Sequence, residues 1–113
     1  PIWPYWAIYS WGKLKTLGIQ VKAESNVPDV RVTAARNAEG KLGVLVCRYS
    51  MYDNVVASKH VTVSLAEGKF GSNVRCHLTD EFNMYTEYPI ALQPDGTLLL
   101  DMQPNSFVFI EQD

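Results

Sequence analysis

From residue 19 onward the chain alternates. In "IQVKAE" the apolar Ile19, Val21 and Ala23 are separated by Gln20, Lys22 and Glu24, so an extended backbone puts one set on each face. A period of two excludes a helix and demands a sheet with one buried side. The same texture returns in "VRVTAARN", "KLGVLVCRYS", "HVTVSL", "NVRCHLT", "TLLLDM" and "SFVFIE", with a shorter candidate at "YPIAL". Between these stretches lie "NVPD", "NAEGK", "LAEGKFGSN", "QPDGT" and "QPNS", where Gly accepts positive φ and Pro fixes a corner. Two of them, around "AEGK" and "PDGT", read as hairpin connections.

Seven or eight short strands with no helical interval long enough for a βαβ crossover imply antiparallel pairing. Two packed sheets are the expected solution, so the fold is predicted as all-β, an antiparallel β-sandwich with Greek-key or meander connections rather than a closed barrel. No internal repeat interrupts this reading.

The first eighteen residues differ in kind. In "PYWAIYSWGKLKTLG" Pro4 suits a first helical turn, Ala7, Trp11 and Leu14 stand at helical spacing, and Gly18 is placed to stop the helix. The expected division is therefore a helix or linker over 1–18 and a sandwich over 19–113. Trp3, Tyr5, Trp6, Ile8 and Tyr9 would surround almost the whole helix, and a helix apolar all round needs cover on more than one side. A small sandwich supplies one side. The other calls for a partner, a ligand or a further domain, and an opening on Pro1 rather than Met fits a piece of a longer polypeptide.

Ten Lys and Arg against twelve Asp and Glu, scattered without blocks, leave no footprint for nucleic acid, and the apolar runs are too short to span a bilayer as a helix. Neither partner is expected. Cys47 and Cys76 each sit in a predicted strand at an inward position, where buried thiols are the simplest reading and a single bridge the alternative.

Chemistry-bearing patterns are sparse. Asp80 and Glu81 in "LTDEFNMY" suggest the paired carboxylates of glycoside hydrolysis, but adjacent strand residues point to opposite faces, and such pairs must converge across one bond. A solvated or turn-capping pair is the better reading. His60 and His77 fall on outward strand positions, no His, Cys, Asp and Glu spacing fits a zinc or calcium site, and the serines lack a glycine elbow. No cofactor, metal or catalytic residue is expected. What remains is aromatic: Trp3, Trp6, Trp11, Tyr49 and Tyr85 are the candidates for stacking on a sugar or for packing on another domain.

The segments "YWAIYSWGKLKTLGIQV", "VRVTAARNAEGKLGVLVCRYS", "VTVSL", "CHLTDEFNMYTEY" and "LLLDMQPNSFVFIE" together resemble the carboxyl-terminal β-sandwich of clan A glycoside hydrolases, of the β-xylosidase and α-L-iduronidase type, family 39. The resemblance implies that the acid and nucleophile glutamates lie in a (β/α)₈ barrel not present in this chain. It also implies that the helix near Tyr5 to Leu17 is the last barrel helix or its linker. Asn83 and Tyr85 match the family's strand-end pattern, while Phe82 stands where a His is common. Three readings follow. The chain is a noncatalytic accessory sandwich that packs on a barrel, from an extracytoplasmic polysaccharide-degrading enzyme such as a xylosidase or xylanase; the isolated domain could then dimerise through its helix. Alternatively it is an independent carbohydrate-binding module. An autonomous enzyme would require Asp80 or Glu81 to meet a distant acid such as Asp53 or Asp101.

Overall fold

A computed structural model describes residues 2–27, 30–48, 59–66, 68–80, 85–89, 91–103 and 105–113, with the side chains of 2–7 and 59 excepted. One helix, α1 (Ile2–Leu17), precedes ten strands: β1 (Ile19–Val21), β2 (Ala23–Ser25), β3 (Val30–Arg36), β4 (Leu42–Arg48), β5 (Lys59–Leu65), β6 (Val74–Thr79), β7 (Thr86–Tyr88), β8 (Ala91–Leu92), β9 (Leu98–Met102) and β10 (Ser106–Gln112). They form two antiparallel sheets, ordered β1-β3-β4-β10-β6-β7 and β2-β5-β9-β8. The all-β sandwich with one leading helix is the predicted fold.

The strand count exceeds the seven or eight expected, for two local reasons. "IQVKAE" is one alternating run but two strands: β1 pairs with β3 in the larger sheet, the chain breaks at Lys22, and β2 pairs with β5 in the smaller one. Alternation survives the crossing because both halves still turn Val21 and Ala23 inward. The second addition is β7, a short partner of β6 that the sequence did not announce.

Between the sheets lies an apolar core built of Val44 and Val46 from β4, Val108 and Ile110 from β10, Cys76 from β6, and Val61, Val63, Leu98, Leu100 and Met102 from the smaller sheet. Fully burying each such side chain contributes about 1.5–3 kcal/mol. Two polar devices close this interior. The guanidinium of Arg48, itself buried, donates from Nη1 to the Met102 carbonyl across the sheets at 2.5 Å. The Tyr88 hydroxyl of β7 donates to the Asp101 carbonyl at 2.9 Å and accepts from the Asp101 N–H at 2.8 Å. Among the described residues β8 pairs with Leu98 and Leu99, and at Asp101 a phenol bonds the strand's backbone.

The predicted hairpins are present. Asn37 Oδ1 accepts from the Glu39 and Lys41 N–H groups and Gly40 adopts φ +91° between β3 and β4. Between β8 and β9, Gly96 has φ +83° and Asp95 accepts from the N–H and hydroxyl of Thr97, bonds that hold its carboxyl below the ordinary carboxylate range.

Helix α1 ends where expected, at Gly18 with φ +92°. It does not extend the sandwich but covers the outer face of the larger sheet, making a third layer. Leu14 and Leu17 pack on Ala35, Leu45, Phe107 and Phe109. Close approach depends on Gly43, where an added Cβ would stand 3.0 Å from Leu17 and 3.1 Å from Leu14. Among the described side chains the inward stripe of the helix is Ser10, Leu14 and Leu17, while Trp11, at helical spacing from Leu14, is half exposed at 49%.

Candidate functional site

The seam between α1 and the larger sheet brings aromatic rings and charges together. Register explains why. The helix-facing residues are Phe107, Phe109 and Glu111 on β10 and, opposite them, Thr79, His77 and Arg75 on β6. Lys13, one turn before Leu17, drops its ammonium onto Glu111 at 3.2 Å, and the ammonium also lies 5.0 Å from the ring centre of Tyr9 and 5.9 Å from those of Tyr85 and Phe109. Arg75 meets Asp113 at 3.1 Å and Glu111 at 3.9 Å, and Lys41 meets Asp113 at 3.9 Å. Cation and carboxylate therefore alternate from Lys13 to Lys41 along a groove of 760 Å³ that Tyr9, Gly12 and Asn37 also line.

These charges are held, not poised. Burial pulls the Lys13 ammonium down, but the hydrogen bond to Glu111 and the neighbouring charges more than offset it, and the group titrates above its ordinary value. Tyr85 is pushed up, first by burial and then by the Glu111 charge, against the opposing pull of Lys13. Glu111 lies between two cations, the Lys13 ammonium at 3.2 Å and the Arg75 guanidinium at 3.9 Å. The groove is a polar lock that fastens helix to sheet.

Tyr85 is the centre of the lock. It adopts φ +54°, a left-handed backbone that a bulky side chain seldom takes, with its N–H on the Thr79 hydroxyl at 3.0 Å. That backbone turns its ring under the helix, stacked on His77 at 4.3 Å and 6° and met by Tyr9 at 5.5 Å and 89°. A sugar needs a bare ring face, and Tyr85 offers none on the side of His77. Tyr85, expected as a contact to sugar or domain, is half-buried and packs against the chain's own second core.

Trp11 is different. It stands half exposed beside Ile8, 72% exposed, on the outer side of the helix, above a shallow groove formed with Lys15, Gln20, Thr33 and Ala35. Gly12 follows it, bare enough that an added Cβ would meet no atom within 4 Å. Trp3 and Trp6 fall on α1 but their side chains, like all of Tyr49, lie outside the described residues.

Other sequence expectations resolve as follows. His60 is exposed as predicted, but His77 is half-buried, because the face read as outward is the one the helix covers. Cys76 lies in the sandwich core and Cys47 in the core under the helix, so the two free thiols are on opposite faces of one sheet and a bridge between them is excluded. Burial pushes them up to about 12 and about 11 respectively. Asp80 follows the end of β6 in one sheet and Asp101 is exposed on β9 in the other, while Glu81, Phe82, Asn83 and Asp53 lie outside the described residues. Among the described residues no three of His, Cys, Asp and Glu are grouped as metal ligands would be, and no helix is long and apolar enough to cross a membrane.

Sequence reasoning missed Lys13, Arg75, Glu111 and Asp113. Lys13 and Glu111 are 98 residues apart, and no local pattern links them.

Comparison with solved structures gives a likeness in fold. The chain shares its fold with part of the catalytic domain of GH30 xylanase C from Talaromyces cellulolyticus, at a TM-score of 0.62 and 19% identity. The match covers 83% of this chain and 20% of that one, so the chain spans about a fifth of the enzyme domain. No protein-family model and no curated protein sequence matches the chain.

Proposed function

We propose that this chain is the noncatalytic accessory β-sandwich of a polysaccharide-degrading, extracytoplasmic glycoside hydrolase such as a xylosidase or xylanase, and that residues 1–18 join it to a catalytic barrel. The observation that carries the reading is the outer face of α1. Ile8 and Trp11 stand in water, although the same helix is already fastened to the sheet by Leu14, Leu17 and the Lys13 lock. An apolar ridge on an element that is itself well anchored is what an interdomain contact of about 600–1,500 Å² would cover. The shared fold with a segment of a xylanase catalytic domain supports the same assignment, as does the sequence resemblance to family 39 sandwiches. On this reading the acid and the nucleophile belong to the barrel, and the ion-paired carboxylates of the seam serve the fold.

The test uses the isolated chain. Light scattering is expected to show concentration-dependent self-association through the vacant ridge, reversed to monomer by the double substitution Ile8→Glu and Trp11→Glu with the circular dichroism spectrum unchanged. Xylan hydrolysis by the same preparation is expected to be nil. A clean monomer that binds no apolar dye would sink the interdomain reading.

A second reading is favoured by Trp11 itself, which keeps an exposed surface beside Gln20, Thr33 and Lys15. A carbohydrate-binding module predicts saccharide affinity for the isolated chain that Trp11→Ala removes, whereas the accessory-domain reading predicts none.

A further inference from the structure

The end of the sandwich where the chain crosses between sheets holds a second cleft, of 500 Å³, which shares Leu42 with the groove under the helix but is lined by none of Lys13, Arg75 and Glu111. Val21, Leu42 and Leu65 contribute apolar lining, and Lys22, Arg36, Lys69, Gln20 and Gln112 bring polar groups to the same space. A size in the range of about 300–1,000 Å³, an apolar lining and a few convergent polar groups are the ordinary attributes of a small-molecule site.

The charges here differ from those of the groove under the helix. There, Lys13, Arg75 and Lys41 each meet a carboxylate within 4 Å. Here the described lining contains three cations and no carboxylate. Lys22 has an exposed pairing with Glu24 at 3.4 Å, a contact worth little in water. Among the described residues neither Arg36 nor Lys69 has a carboxylate within ion-pair distance; Arg36 donates from Nη1 to the Asn37 carbonyl, which constrains its guanidinium. Lys69 is constrained through its stem, which lies against Gly96 so closely that a Cβ at Gly96 would stand 2.5 Å from it. Among the described residues these cations meet only the exposed Glu24 pair and the longer-range attraction between Lys69 and Asp95, which leaves them available to an anion, and the apolar lining asks that the anion carry an apolar face.

We infer that the cleft lined by Lys22, Arg36 and Lys69 binds a small organic carboxylate, with the carboxylate on Arg36 and Lys69 and the body of the ligand on Val21, Leu42 and Leu65. The inference does not rest on the accessory-domain reading, which is carried by Ile8 and Trp11, residues that do not line the cleft.

The carboxylate could be borne by an acidic sugar or by a free aromatic acid, and a titration of the full chain followed by amide chemical shifts separates them. The probes are galacturonate, galactose, benzoate, benzyl alcohol and inorganic phosphate. Saturable shifts at Val21, Leu42 and Leu65 with galacturonate but not galactose would assign the site to acidic sugars; shifts with benzoate but not benzyl alcohol would assign it to free acids. Arg36→Gln is expected to weaken binding about tenfold, as for loss of a charge-assisted hydrogen bond, and Lys69→Gln less. The proposal fails if neither acid shifts these amides, if phosphate shifts them as strongly, or if Arg36→Gln leaves affinity unchanged.

Discussion

The larger sheet is buried on both faces, by two unlike chemistries. Its inner face meets the smaller sheet through Val44, Val46, Val108, Ile110 and Cys76, a layer of aliphatic side chains in which no single contact dominates. Its outer face meets one helix through Leu14, Leu45, Phe107 and Phe109, and beyond these few the contact becomes ion pairs and stacked rings. A helix touches a sheet along a line, and a line cannot be filled by aliphatic packing alone. The difference teaches where stability is spread and where it is concentrated: the inner face should tolerate small losses anywhere, and the outer face should depend on a handful of residues.

Phe109 tests this first. It is fully buried, packs on Leu14 and Leu17, and presents its ring to the Lys13 ammonium. Phe109→Ala is expected to cost about 3–5 kcal/mol in urea denaturation. Val44→Ala on the opposite face removes less volume and should cost less, and hydrogen exchange should show helix amides opening early in the first variant only. Equal protection loss in both would mean the two faces form one cooperative core.

Gly43 sharpens the comparison with a smaller change. A methyl there has to displace Leu14 and Leu17, so Gly43→Ala is expected to cost about 1–3 kcal/mol. The loss should appear as freed helix, while the β-sandwich keeps its near-ultraviolet signature. A neutral result would show that the helix shifts along the sheet freely.

Much of this was legible in the sequence, and the illegible part has a consistent cause. Period-two alternation marked β3, β5, β6, β9 and β10, because each has an inner side that must be apolar whatever the connectivity. "GVLVC" in β4 and "FVFI" in β10 carried a further signal, since continuous apolar runs mean burial on both faces. That signal pointed to the helix-covered layer, and with it to His77 as a half-buried residue. The break at Lys22 was hidden because alternation does not record which sheet a strand joins. The lock was hidden because Lys13, Tyr85 and Glu111 meet only through register and a left-handed backbone at Tyr85, neither of which has a local motif. The Trp11 surface was half legible: the excess of apolar residues on the helix was plain, and which of them faces water was not.

Alkaline titration loads both faces in the same direction, through more groups on the outer face than on the inner one. Lys13 and Tyr85 titrate above their ordinary values in the folded chain, so each stabilises it below about pH 10 and the stabilisation is lost as the pH rises further. The two buried thiols, raised to about 11 and about 12, add a decline that begins above about pH 8.5, with one thiol under each face. The melting temperature is therefore expected to hold to about pH 8 and fall above it. Glu111→Gln takes away the partner that raises Lys13, at an expected cost of about 1 kcal/mol at neutral pH, and should make the alkaline fall shallower. An unchanged slope would show that the thiols alone govern it.

The smallest expected effect has the opposite sign. Gly12 sits within a helix, where glycine is less favourable than alanine by about 0.5–1 kcal/mol, and an added Cβ there meets nothing within 4 Å. Neither face of the larger sheet explains the glycine, since it approaches neither core. Gly12→Ala should therefore raise the melting temperature of the isolated chain by a few degrees, the shift that about 1 kcal/mol produces in a domain of this size. If the outer side of α1 receives another domain, the same substitution should weaken that association, because the bare backbone beside Trp11 is where a second surface can come closest. Stabilisation of the isolated chain together with weaker self-association in light scattering would identify Gly12 as part of the contact. Stabilisation without any change in association would leave Ile8 and Trp11 as its only supports, and destabilisation would mean that the groove beneath Gly12 is narrower than its open geometry indicates.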